Sequence, residues 1–180
     1  MNELIKVVKF GGSSLANAEQ FKKVASIIKS DDGRRFVVPS APGKRFKDDT
    51  KVTDLLYKCY TLAEAGEDFA EVFEEIKLRY NSIIEELSLG ISLDEEYDKI
   101  EKAFKAHAGS DYAASRGEYL NGIVLASFLG YEFIDAAEVV LFDENGELDL
   151  NTTCKKLKSV YRTSSVPLSP DSTVLTKTAL

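Results

Sequence analysis

The chain has 180 residues, 44% of them hydrophobic and 29% charged, with a formal net charge of −7 at pH 7. That length supports one sizeable core or part of a larger domain. The acidic balance excludes a general binder of nucleic acid or of anionic membrane, while leaving room for a locally basic site that takes a small anion.

In chain order, "LIKVVKF" reads as a buried strand, with β-branched residues at 5, 7 and 8 and Phe10 closing it. "LANAEQFKKVASIIKS" reads as a helix: Ala18, Phe21, Val24, Ala25 and Ile28 fall at helical spacing, and Ser13 or Ser14 caps it. "DDGRR" is a turn, and "FVVPSAPG" is a second strand running into a Pro/Gly loop. Strand, Gly-rich turn, helix and strand make a βαβ unit, so a parallel sheet is expected. "KRFKDDTK" (44–51) reads as a mobile charged loop, followed by a helix over "LLYKCYTLAEA" capped by Thr53 or Asp54.

Residues 67–89 form a helix with one apolar stripe of Phe69, Phe73, Ile76, Tyr80, Ile83 and Leu87. A second stripe, Leu93, Tyr97, Ile100 and Phe104, follows the break "SLGIS", which predicts a helical hairpin laid on the sheet. "GSDYAASRGEYLNGIVLASFLG" predicts a helix kinked near Gly117 and ended by Gly130. "YEFIDAAEVVLF" predicts a third strand, Tyr131 to Asp135, and a loop. From about residue 155 the chain turns rich in Ser, Thr and Lys without a sustained period, so an irregular tail is expected.

No apolar run reaches the length of a membrane span, and the N-terminal residues lack the form of a signal peptide. Cys59 and Cys154 stand apart, without a metal-ligand spacing, and fit free thiols in a reducing cytoplasm. With His107 the single histidine, a histidine triad or a multi-histidine metal site is not expected.

Three stretches carry chemistry. "KFGGSS" joins a strand to a helix through a turn whose glycines permit close backbone approach. It reads as a phosphate cradle, with Lys9 beside it and a helix N-terminus behind, or as a structural corner. It is neither a Walker A loop nor GxGxxG. "VVPSAPG" puts Ser40 and a loop at the carboxyl edge of the sheet, where open α/β sheets bind ligands. "SRGEYLNG" places Arg116 and Glu118 near a helix start, where a carboxylate either pairs with the helix dipole or holds a substrate ammonium group.

Taken in order, "KFGGSS", "VVPSAPGK", "VTDLLY" and "SRGEYLNG" resemble the aspartate kinases (aspartokinases) of the amino-acid-kinase family, over about residues 3–160. The resemblance implies a three-layer αβα sandwich with a mainly parallel sheet. It implies transfer of the γ-phosphoryl group of ATP, with Mg2+, to the side-chain carboxylate of L-aspartate. The product is 4-phospho-L-aspartate, the entry to lysine, threonine and methionine synthesis. Family members are homo-oligomers carrying regulatory domains after the catalytic one.

Carried onto this sequence, Lys9 neutralises the transferring phosphate, and Phe10, Gly11, Gly12 and Ser13 belong to the phosphate-cradling turn. Ser40, Thr53 and Glu118 hold aspartate, with Glu118 facing its α-ammonium; Arg116 receives no contact, and no metal ligand is assigned to the chain. The acceptor carboxylate is ionised at neutral pH, so the transfer needs no general base.

The chain departs from the family pattern at Ser13, where threonine is usual, and in the longer, more charged loop before Thr53. It also lacks a Pro-Gly-Phe strand exit, an Arg-Gly-Gly-Ser-Asp segment and a nucleotide-binding half. Codons permitted for "VPLSPDSTV" (166–174), read two bases further on, spell Ala-Val-Ile-Pro-Gly-Phe-Tyr-Gly, the missing strand exit. The expectation is therefore a catalytic-domain portion over 1–160 and a frameshift-derived tail over 161–180, poorly ordered, with later strands absent and the chain inactive alone. Two alternatives stand: a non-catalytic fragment binding aspartate or a partner subunit, or another family member phosphorylating glutamate or a carbamate.

Overall fold

A computed structural model describes residues 4–163 and 173–175. The elements are β1 (Lys6–Phe10), α1 (Ala18–Lys29), β2 (Arg34–Pro39), α2 (Val52–Glu64), α3 (Ala70–Glu86), α4 (Asp94–Lys105), α5 (Ser110–Leu129), β3 (Glu132–Ile134), α6 (Ala136–Val139), α7 (Leu150–Thr163) and β4 (Thr173–Leu175). The strands form one parallel sheet in the order β1-β2-β4-β3. The fold is thus α/β with the expected parallel βαβ start, in which α1 crosses from β1 to β2.

Being an edge strand, β1 is not the fully buried strand its composition suggests. Val8 and Phe10 turn into the core, while Val7 is 68% exposed and Leu4 and Ile5 just before the strand are open to solvent. The alternation of side chains along a strand sends Lys9 to the same open face as Val7.

The α1 stripe is buried as predicted, at Ala18, Phe21, Val24, Ala25 and Ile28. Its cap, however, is Asn17, whose side chain accepts from Gln20 N–H at 3.0 Å. A short 3-10 turn, Gly12–Leu15, takes the place of the helix start expected at the serines. The strand β2 begins at Arg34, inside the stretch read as a turn.

Both long stripes are buried too, and they face one another through aromatic edges. Phe73 meets Phe104 and Tyr97 edge-to-face at 6.3 and 6.2 Å between ring centroids. The α3–α4 hairpin rests on α2 and α5 rather than on the sheet, because α5 already covers β2, β3 and β4. Helix α5 runs without interruption through Gly117 and ends at Gly130, whose φ of 71° closes the C-terminus and lets Tyr131 N–H donate to Ala126 C=O.

Within the segment expected to be irregular, two pieces are regular. Helix α7 continues to Thr163, started by Asp149, whose carboxylate accepts from Thr152 N–H at 2.9 Å. Thr173–Leu175, a β-branched and apolar run, forms β4 between β2 and β3. Residues 164–172 and 176–180, including most of "VPLSPDSTV", lie outside the described residues. The expected loop after β3 contains α6, capped by Asp135 accepting from Ala137 N–H.

Candidate functional site

The carboxyl ends of β1 and β2 build the site. Phe10 pairs with Pro39, and Ser40 N–H extends the ladder by donating to Phe10 C=O at 2.9 Å. Beyond it the two strand exits cross. Gly43 N–H donates to Gly12 C=O at 2.8 Å, and a Cβ on Gly43 would lie 2.7 Å from the Gly12 carbonyl carbon. A Cβ on Gly12 would lie 2.6 Å from Ala41 C=O. Both positions therefore require glycine for close approach.

Two helices supply the rest. Thr53 does not cap α2: Lys51 holds the N-cap position without a side-chain bond, and Thr53 sits half-buried in the first turn. Glu118 lies more than two turns inside α5, so it is not a dipole partner at a helix start. The α5 backbone comes this close because Gly117 has no side chain; a Cβ there would stand 2.6 Å from Ala41 Cβ. Buried Tyr80 donates to Gly117 C=O at 2.7 Å, and burial pushes its phenol well above the usual value.

A cavity of about 430 Å³ results. Its lining brings together Gly12, Ser13, Ser40, Thr53 and Glu118, all expected from sequence, and adds Gly43, Lys44 and Lys51. Lys9, Phe10 and Gly11 do not line it. Lys9 is exposed on the β1 face opposite Val8 and Phe10, Phe10 is half-buried against the core, and the Gly11 Cα faces open space. Two ammonium groups and one carboxylate thus border a pocket with hydroxyls at Ser13, Ser40 and Thr53, a charge pattern suited to a small anionic zwitterion. Arg116 is held elsewhere, its guanidinium 4.5 Å from the ring centroids of both Tyr112 and Tyr119, and it donates to Ser115 Oγ.

The loop over 44–51 is pinned rather than mobile. Asp49 is 7% exposed and accepts from Arg45 N–H, Nε and Nη2 at 2.8–2.9 Å. Arg79, on α3 and 4% exposed, donates Nη2 to both Asp49 oxygens at 2.9 and 2.8 Å. Its Nη1 donates to Gly43 C=O at 3.0 Å. The Arg45 side-chain bonds, then its backbone N–H and the Arg79 charge, hold the Asp49 carboxyl well below the usual carboxylate range.

Sequence reasoning also passed over Asn121, fully buried three residues after Glu118. It donates Nδ2 to Ser40 C=O at 2.6 Å, and its Oδ1 has no partner among the described residues. Its place inside "SRGEYLNG", one helical turn past Glu118, was the available signal.

Residues 5–168 match the amino acid kinase family. The chain belongs to that family. It is 35% identical over 169 residues to aspartokinase 3 of Bacillus subtilis, covering 88% of this chain and 37% of the relative. Its structure is similar to that of Clostridium acetobutylicum aspartate kinase, with a TM-score of 0.85 and 47% identity, over 96% of this chain and 38% of that one. It shares its fold with E. coli aspartokinase III solved with aspartate and ADP, at TM-score 0.73 and 24% identity over 96% of this chain and 40% of that one. The chain therefore spans about two fifths of the length of these amino acid kinase relatives, at 37%, 38% and 40%. No helix among the described residues is long and apolar enough to cross a membrane, and no group of three or more His, Cys, Asp or Glu there is placed to hold a metal ion.

Proposed function

We propose that the chain is the aspartate-binding portion of an aspartate kinase, a cytoplasmic phosphotransferase acting on the side-chain carboxylate of L-aspartate. The observation that carries this reading is the cavity joining Ser40, Thr53 and Glu118 to the Gly12–Ser13 turn. Glu118 pairs with the substrate ammonium, and Ser40 and Thr53 donate to its carboxylates. Lys44 and Lys51 complement the negative charge.

Phe10, Gly11, Gly12 and Ser13 form the turn facing the phosphates of ATP, with Lys9 reaching the transferring group from the strand end. One aspartate oxygen forms the new bond to the γ-phosphorus as the bond to the β-phosphate oxygen breaks and ADP leaves. The residues fit a metal that arrives on the nucleotide: Mg2+ takes its oxygens largely from phosphates and water, and it neutralises phosphate charge when bound. The chain's own contribution is positioning and charge balance.

The 180 residues by themselves are expected to bind aspartate yet turn over little, since positioning ATP calls on regions of the longer relatives outside the matched stretch. Calorimetric titration with L-aspartate, against asparagine and glutamate, tests the binding; a Glu118→Gln variant should lose it. A hydroxamate assay with aspartate and Mg-ATP tests the second part, and robust turnover by the purified chain would refute it. Preferential binding of glutamate would move the assignment to another family member. The frameshift origin of residues 161–180 stands as part of this proposal and is tested by sequencing the gene past codon 155.

A further inference from the structure

The loop that closes the candidate substrate cavity has no hydrophobic anchor of its own between residues 44 and 51 except Phe46, which is 61% exposed. Its residues are charged and mostly solvent-facing, apart from Asp49. Yet the loop must hold Gly43 against Gly12 and keep Lys44 and Lys51 at the cavity wall. The fixed point comes from α3. Arg79 is almost fully buried and directs its Nη1 and Nη2 donors at this loop: both oxygens of Asp49, Gly43 C=O, and Thr50 C=O at 3.3 Å. Those acceptors are 29 to 36 residues away in sequence.

We infer that Arg79 is a positioning residue for the substrate site, acting through Asp49 and Gly43 to fix the loop that forms one wall of the cavity. The inference rests on the reading of that cavity as the aspartate site and goes beyond it, because Arg79 does not line the cavity. A planar, bidentate fork suits this role. A lysine would keep the charge but could not reach Gly43 C=O and both Asp49 oxygens with fixed geometry. Arg79 also borders the neighbouring depression with Leu55, Leu78 and Ser82, but its Nη1 and Nη2 donors go to the loop.

The test uses the full chain with Arg79→Met, Arg79→Lys and Asp49→Asn, each measured well below its own melting temperature. Two readouts are taken. Calorimetry gives L-aspartate affinity. Trypsin cleavage after Lys44, Arg45, Lys47 or Lys51, followed by mass spectrometry, reports release of the loop directly. The expected result for Arg79→Met is at least a tenfold loss of affinity and at least tenfold faster cleavage within 44–51, with cleavage elsewhere unchanged. Guanidinium at millimolar concentration should restore both in part, and Arg79→Lys should rescue incompletely.

Wild-type affinity together with a protected loop in Arg79→Met overturns the inference. If Arg79→Met does not fold, Arg79→Lys and Asp49→Asn decide by the same readouts: loop release supports the inference, and protection with unchanged affinity overturns it. A wild-type chain that binds no aspartate counts against the functional reading instead, and trypsin cleavage of the variants then decides whether Arg79 fixes the loop.

Discussion

Gly12 and Gly43 cross backbone on backbone: Gly43 N–H donates to Gly12 C=O at 2.8 Å, and neither Cα has room for a methyl group. The adjacent Gly11 has an ordinary extended conformation (φ −74°, ψ 165°) and nothing within 4 Å of a Cβ. Gly12→Ala should therefore destabilise the chain by about 1–3 kcal/mol through backbone displacement, whereas Gly11→Ala should change stability by no more than about 0.5 kcal/mol. Thermal unfolding of the two variants checks this, and equal melting temperatures would contradict it. Any loss of nucleotide affinity in the stable Gly11→Ala protein then reports ligand approach alone.

Gly117→Ala sets two effects against each other. Alanine gains about 1 kcal/mol of helix propensity over glycine. Its Cβ would stand 2.6 Å from Ala41 Cβ and 3.3 Å from Leu56 Cδ1, where neither helix α5 nor the strand exit gives way easily. Overpacking of this kind costs about 1–3 kcal/mol, so a lower midpoint in urea is expected. A raised midpoint would show that α5 is free to move off the loop.

The depressed titration of Asp49 gives stability a defined pH dependence. Its folded value lies below its unfolded one, so the native state binds fewer protons in the acid range. Its contribution is complete above the unfolded carboxylate value of about 3.9 and is lost as pH falls through the folded value. Urea unfolding followed by circular dichroism between pH 3 and 7 should show stability falling below about pH 5. Asp49→Asn should be less stable at neutral pH and show a shallower acid limb. The limb will not vanish, because Asp31, Asp143 and Asp149 are also held low by hydrogen bonds.

The thiols should separate cleanly. Burial on the core face of α2 pushes the Cys59 thiol up to about 12, while Cys154 is exposed on α7. The thiolate is the reactive form. A thiol reagent at pH 8 should label Cys154 in the native chain and reach Cys59 only after denaturation, which peptide mass mapping distinguishes. Rapid native labelling of Cys59 would mean that α2 opens locally.

Periodicity made much of this fold readable. The stripes Ala18 to Ile28, Phe69 to Leu87 and Leu93 to Phe104 are all core, because one-sided burial writes itself into helical spacing. Five cavity residues were also readable, since strand exits and glycine turns have local signatures. What stayed hidden depends on partners far along the chain. Gly117 looks like a helix breaker until Ala41 is found beside it. "KRFKDDTK" looks like a solvated loop until Arg79 is found thirty residues on, because a salt bridge leaves no period. Thr53 looked like a cap because capping residues are common there, but Lys51 holds that position. Lys9 lies on the exposed face that alternation gives it along β1, outside the cavity lining, a placement its neighbours in sequence do not disclose.

The strand order carries a consequence for how the molecule is made. Among the described residues β2 and β3 are joined through β4 alone, so Arg34–Pro39 and Glu132–Ile134 share a sheet once Thr173–Leu175 has been inserted between them. During synthesis the helices α2 to α5, which hold most of the core, emerge before β4, with the sheet still split into two parts. Closure waits on β4, at a separation of more than a hundred residues from β2, and contacts that distant form slowly. Until then β2 presents an unpaired edge to every neighbouring nascent chain, so pairing between chains competes with closure until Thr173–Leu175 is in place.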